Sequence, residues 1–310
     1  MPRLGQNRYG KAEVRVVHVT RGAAAGGGDI VSDRNVSTSL SGDLAAVHLA
    51  GDNAHVLPTD SQKNAVYAFA KRLGRVEPEA FALALAEYFV STQEPITRAR
   101  VAVQEYAWEP IPGGGHSFAR SGRYVRTTTV VHDAELGTSI VSGLSDLVVL
   151  NTTDSEFWGF ARDPYTTMPE TTDRMLATEV SASWRFRGSA VNGATVDRAT
   201  VDRATVDRGT VDWATAHERA TAALLTAFAS TYSYSLQQTL YAIGERILAE
   251  VPETCEVRLA LPNKHHFLVD LEPFGLGNED EVYFAADRPY GLIEGQVLAD
   301  DAPDAGLAWT

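Results

Sequence analysis

Residues 66–89 read Val66-Tyr-Ala-Phe69-Ala-Lys-Arg-Leu73-Gly74-Arg-Val-Glu-Pro78-Glu-Ala-Phe81-Ala-Leu-Ala-Leu85-Ala-Glu-Tyr-Phe89. Val66, Phe69 and Leu73 recur at helical spacing, and Gly74 supplies a stop. Pro78 suits the first turn of a second helix, on which Phe81, Leu85 and Phe89 share one face. Extended segments flank this helical pair. Val-rich Glu13 to Thr20 and the alternating stretch from Leu40 to Ala50 precede it; Ala99 to Trp108 and Arg123 to His132 follow. Gly22 to Asp29 between the first two is a loop, too irregular for a phosphate cradle.

The remainder repeats the order. Ile140 to Leu150 and Glu179 to Phe186 read as strands, the latter alternating through Val180, Ala182, Trp184 and Phe186. Helices are expected over about 213–230 and 235–250, the second with a stripe of Leu236, Leu240, Ile243 and Ile247. Cys255 to Leu261, His266 to Leu271 and Glu281 to Ala286 close the chain as strands. Strand-strand-helix-helix-strand-strand, twice over, is α+β. It predicts two tandem halves, 1–136 and 137–310, each an antiparallel sheet with paired helices on one face. A five-residue motif, Ala194-Thr-Val-Asp-Arg198, recurs from Ala199 and Ala204 and fits no helical or solenoid period. Residues 191–212 are therefore expected to form a surface loop.

Composition narrows the function. The 310 residues are 44% hydrophobic and 22% charged, an ordinary globular balance. Forty acidic against 27 basic residues give a net charge of −13, which disfavours nucleic acid and anionic membranes. An anionic ligand must then be held by a few local cations. Cys255 stands alone, so an intrachain disulfide and Cys-cluster metal sites are excluded. The amino terminus lacks a signal-peptide pattern, no run suits a membrane span, and the last three residues are not a peroxisomal address. A cytoplasmic protein is the expectation.

Metal and hydrolase signatures are missing. Adjacent His265 and His266 point to opposite faces of a strand and cannot chelate one ion together. Several blocks nonetheless stand out: Tyr9-Gly-Lys11; Val56-Leu-Pro-Thr59-Asp60-Ser-Gln62-Lys-Asn64; Asn151-Thr-Thr-Asp-Ser-Glu-Phe157-Trp158-Gly159-Phe160; Asp163-Pro-Tyr165; Asp173-Arg174; Ser235-Leu236-Gln237-Gln238-Thr239; and Leu261-Pro-Asn263-Lys-His265.

In this order the blocks resemble the urate oxidase (uricase) family, over nearly the whole chain from Tyr9 to about Val297. The resemblance implies two tandem tunnelling-fold (T-fold) domains and a homotetramer with active sites at subunit interfaces. It also implies cofactor-free oxidation of urate by dioxygen and water to 5-hydroxyisourate and hydrogen peroxide, in purine degradation. Residue by residue, it assigns catalysis to Lys11, Thr59 and His265. Substrate binding falls to Thr59, Asp60, Phe157, Arg174, the backbone of Leu236, Gln237 and Asn263. No cofactor or metal is implied. Asn151 departs from the family, where many members carry Lys, and the pentad loop is extra.

These residue types suit the chemistry. Urate is a flat, weakly acidic, electron-rich trioxopurine that can itself reduce dioxygen. Phe157 offers an aromatic face, Arg174 a planar two-pronged cation, and Gln237 a donor and an acceptor for an imide edge. Lys11 beside Thr59 forms a base system if the amine is partly desolvated and its pKa lowered, with Asn263 and His265 completing a proton relay. Each residue also has a plainer role. Thr59 with Gln62 is a capping-box pattern, Lys11 and Gln237 suit a solvated surface, Phe157 a core, Arg174 an ion pair. A catalytically inactive T-fold relative, binding a purine or serving as a scaffold, is the alternative. Intact Lys11, Thr59, Asn263 and His265 weigh against it.

Overall fold

The computed structural model describes residues 2–24, 27–188 and 211–310. Strand β1 spans Tyr9–Thr20 and β2 Ile30–Gly42, followed by helices α1 (Ala45–Ala50), α2 (Thr59–Leu73) and α3 (Pro78–Thr92). Strand β3 (Ile96–Tyr106), a small hairpin of β4 (Trp108–Pro110) and β5 (Phe118–Arg120), and β6 (Val125–Asp133) complete the first half. The second half runs β7 (Gly137–Asn151), β8 (Leu176–Phe186), α4 (Trp213–Ser230), α5 (Leu236–Glu250), β9 (Thr254–Leu268) and β10 (Tyr283–Leu298).

The α+β expectation holds, and the two sheets prove continuous. Eight antiparallel strands lie in the order β1-β2-β3-β6-β7-β8-β9-β10, fused through the β6–β7 pair. In β3, Ala99, Val101 and Val103 are buried while Arg98 and Arg100 point the other way, as period-two alternation requires. The helices cover the apolar face: α2 and α3 pack on β1, β3 and β6, and α5 packs on β9 and β10 beside α4. The predicted signals work locally. Gly74 ends α2 at φ 64°, and Pro78 opens α3, where its missing N–H costs nothing. Across the opposite face runs the carboxy-terminal segment, with Arg185 Nη2 bonded to Pro303 O (2.8 Å), Arg258 against the Trp309 ring and Arg100 Nε on Thr310 O (2.9 Å).

The joint between the halves is polar and buried. Glu79 of α3 accepts from Thr128 Oγ1 of β6 (3.1 Å), Ser142 Oγ of β7 (2.5 Å) and Arg126 Nη2 (2.8 Å). Arg126 also reaches Glu77 and the Trp213 carbonyl at the start of α4. Burial works against the Arg126 charge, but Glu79, Glu77 and Glu105 more than offset it and hold the guanidinium protonated.

Several boundaries differ from expectation. The strand expected over 40–50 ends at Gly42, and the Ala-rich stretch beyond it is helix α1, closed by Gly51 in the left-handed conformation. The true β2 begins ten residues earlier, at Ile30, with polar Asp33, Arg34 and Thr38 buried on it. The two strands expected over 255–271 are one, β9, and β10 continues to Leu298. Most of the pentad loop, 191–210, lies outside the described residues. Asp212 caps α4, accepting from Thr215 N at 3.1 Å.

Candidate active site

The family-matched residues fall into two groups at opposite sides of the sheet. Lys11 lies on β1, one edge, while Asn263 and His265 lie on β9, next to the other edge. Six strand steps at roughly 4.8 Å each place these groups about 30 Å apart along the sheet. Within one chain, the group of Lys11, Thr59 and Asp60 does not meet the group around Phe157, Arg174, Asn263 and His265.

The first group gathers around the start of α2. Lys11 is half-buried and opposite Thr38, just before a bulge that takes the β1–β2 register from Lys11 to Val14. Glu13 in that bulge sits at φ 57°, so the strand is bent where Lys11 leaves it. Thr59 is the first helical residue of α2. The helix is capped by Pro58 with no side-chain cap bond, so the capping-box reading of Thr59 with Gln62 does not hold. Gln62 instead turns inward, fully buried, and accepts from Thr38 Oγ1 at 2.8 Å. Asp60 is exposed. Hydrogen bonding to Lys63 first, then the Lys63 charge, Asn64 and more weakly Lys11 hold its carboxyl below the usual range. The Lys11 ammonium therefore stands close enough to be felt at the start of α2.

The second group is assembled by backbone bridges between loops. Phe157 and Thr171 exchange both main-chain hydrogen bonds, at 2.9 and 3.0 Å. Ser155 pairs with Ser233, Glu156 N donating to Ser233 O and Ser233 N to Asp154 O. These contacts draw the Phe157 loop, the approach to Arg174 and the start of α5 together. The helix is capped properly: Ser235 accepts from Gln238 N (3.2 Å) while the Gln238 side chain accepts from Tyr234 N (2.9 Å). Leu236 is buried as its first residue, and Gln237 is exposed beside it.

Arg174 lies over the Phe157 ring, 5.2 Å from its centroid, and Phe160 stacks on the same ring at 5.0 Å. The Arg174 Nε is buried without a hydrogen-bond partner among the described residues, and desolvation lowers the guanidinium from its ordinary value. That is the electrostatic state an anion relieves. Strand register brings the remaining residues alongside: Ala177 pairs with Lys264 and Thr178 with Asn263, while His265 faces Ala286 of β10. Burial first, then the Arg174 charge and His266, pull His265 below its usual pKa, so the imidazole is neutral near pH 7. Among the described residues, no cluster of three or more His, Cys, Asp or Glu side chains could hold a metal ion. Lone Cys255 is buried, its pKa pushed up by desolvation.

Sequence reasoning missed the supports: Glu156, which receives Trp158 Nε1 (2.7 Å) and Tyr232 OH (3.0 Å), and the Thr38–Gln62 pair. Gln62 carries a signal, being polar within a helical stretch, but the capping-box pattern pairs it with Thr59 rather than Thr38.

The fold and these residues define a tandem tunnelling-fold protein with a desolvated cation beside an aromatic ring, a combination suited to a flat anion. A family model described as Uricase matches residues 7–131 and 140–294. The chain is 47% identical to a uricase of Arthrobacter globiformis over 307 residues, covering 99% of this chain and 93% of that one. It is 33% identical to a uricase of Dictyostelium discoideum over 303 residues, covering 96% and 98%. The crystal structure of the Arthrobacter globiformis uricase superposes with a TM-score of 0.87 at 44% identity, covering all of this chain and 99% of that one. This chain belongs to the uricase family.

Proposed function

We propose that this protein oxidises urate with dioxygen and water, giving 5-hydroxyisourate and hydrogen peroxide, as a step of purine degradation. The observation that carries this reading is the buried Arg174 Nε, unpartnered among the described residues, beside Phe157 in a chain of the uricase family. Urate stacks on Phe157; Arg174 and Gln237 grip its edges, with the Leu236 amide at the start of α5 and Thr59 and Asp60 from the other group. Lys11 and Thr59 remove a proton from urate. The resulting dianion gives two electrons to dioxygen, forming a 5-hydroperoxide; its loss as hydrogen peroxide and addition of water at the same carbon complete the balance. Asn263 and His265 hold the oxygen species and pass protons, a task for which a neutral imidazole is suited because it can both donate and accept.

The separation of the two groups along the sheet supports active sites completed between subunits of a homotetramer. The two units would divide at 136/137. No described helix is long and apolar enough to cross a membrane. A pure purine binder needs only Phe157, Arg174 and Gln237, so Lys11, Thr59, Asn263 and His265 weigh toward an enzyme. The test follows urate's near-ultraviolet absorbance with chelator-treated protein in air. Loss with stoichiometric peroxide is expected; urate binding without loss would favour the inactive relative.

A further inference from the structure

The working ends of Lys11 and Thr59 are held through their surroundings. Lys11 makes its hydrogen bonds through the main chain, its N–H reaching Thr38 Oγ1 at 3.4 Å. The Thr38 hydroxyl has a single proton, and the nearer acceptor, Gln62 Oε1 at 2.8 Å, takes it. Gln62 is fully buried on α2, one turn beyond Thr59, and its Nε2 reaches back to Leu57 O at 3.4 Å. A second tie runs from β1 itself to the same segment: Leu57 N donates to Tyr9 OH at 2.8 Å. Between the two ties, Gly10 passes so close to β2 that a Cβ there would lie 1.8 Å from Thr38 O. Thus β1 is tied to the start of α2 directly through Tyr9 and, opposite Lys11, by way of Thr38 on β2, through contacts that leave the lysine and threonine side chains available.

We propose that Thr38 and Gln62 are positioning residues, their buried hydrogen bond fixing the distance between Lys11 and Thr59 and hence the efficiency of proton removal. The proposal rests on the assignment of Lys11 and Thr59 to the base system. The pair has the character such a role requires: it touches no residue of the group around Phe157 and Arg174, and it joins Thr38, the β2 residue opposite Lys11, to α2, which opens with Thr59. A displacement of about 1 Å at a reacting group costs on the order of 100-fold in rate.

The test compares Thr38→Val, Thr38→Ser and Lys11→Met, each purified as the full chain. Activity is measured well below each variant's melting temperature. For Thr38→Val, kcat is expected to fall by at least about tenfold with KM for urate within about twofold, since a positioning loss acts in the transition state. Its pH–rate profile should shift as well, and Thr38→Ser, which keeps the hydroxyl, should recover most of kcat. Gln62→Met carries the same expectation should Thr38→Val fail to fold. Folded variants with wild-type kcat and pH profile would overturn the proposal, as would a loss that Thr38→Ser does not rescue. Lys11→Met separates the two levels. If it keeps full turnover, the base assignment has failed; if it is dead while folded Thr38→Val is fully active, only the positioning role has.

Discussion

In the first half of the chain, Lys11 sits on an edge strand and Thr59 opens the first helix of its pair. In the second half, Asn263 and His265 sit one strand in from the edge, and Leu236 and Gln237 open the second helix. The same ground plan thus supplies two different placements. The means of support differ too. The first group depends on side-chain ties, Tyr9 to Leu57 and Thr38 to Gln62. The second depends on backbone bridges, Phe157 with Thr171 and Ser155 with Ser233. Backbone bridges survive most substitutions, whereas a single replacement removes a side-chain tie. Geometry around Lys11 and Thr59 should therefore be the more fragile of the two.

That contrast can be broken at several points. The largest effect is expected from Lys11→Met, which should lower kcat by about 100- to 10,000-fold, the usual range for a lost general base. Urate binding, followed by a competition assay, should persist; lost binding would move Lys11 into the substrate-holding group. Next comes Arg174→Ala, which removes charge-assisted hydrogen bonds and should raise KM for urate by about 10- to 100-fold. A change confined to kcat would contradict its role as a clamp.

A smaller effect is expected outside both groups. Glu87 on α3 has a buried carboxylate oxygen with no hydrogen-bond partner among the described residues, and burial raises its pKa to about 7. Between its ordinary 4.5 and about 7, the folded chain keeps a proton that the unfolded chain releases, so stability falls as pH rises through that window. Glu87→Gln, neutral throughout, should raise the melting temperature at pH 8 by a few degrees, on the order of what 1 kcal/mol gives. It should give no gain at pH 4.5; a gain equal at both would contradict the burial argument.

Much of the fold was legible because its signals are local. The apolar stripes of α2, α3 and α5, the stop at Gly74 and the start at Pro78 all act within a few residues. The strands at fault fail for physical reasons. β2 buries Asp33, Arg34 and Thr38, so its alternation does not read as apolar against polar. Residues 287–292 of β10 lie exposed on the sheet edge, and the inward face that follows is only Ile293, Gly295 and Val297, with a glycine at its centre. Thr59 with Gln62 matched a capping box in sequence, yet Gln62 found a better partner in Thr38, twenty-four residues upstream. The candidate site was legible only through the joint resemblance of its blocks. No periodicity can relate Lys11 to Arg174 when the sheet sets them on opposite sides.

The most direct test of that arrangement is complementation between two inactive variants. Lys11→Met and Arg174→Ala chains, each alone with little turnover at low urate, are mixed through unfolding and reassembly or by co-expression. If each site takes Lys11 from one subunit and Arg174 from another, random assembly should leave both residues intact in about a quarter of the sites. The account predicts recovery of about that fraction of wild-type activity. Mixed assemblies that form yet stay inactive would contradict it.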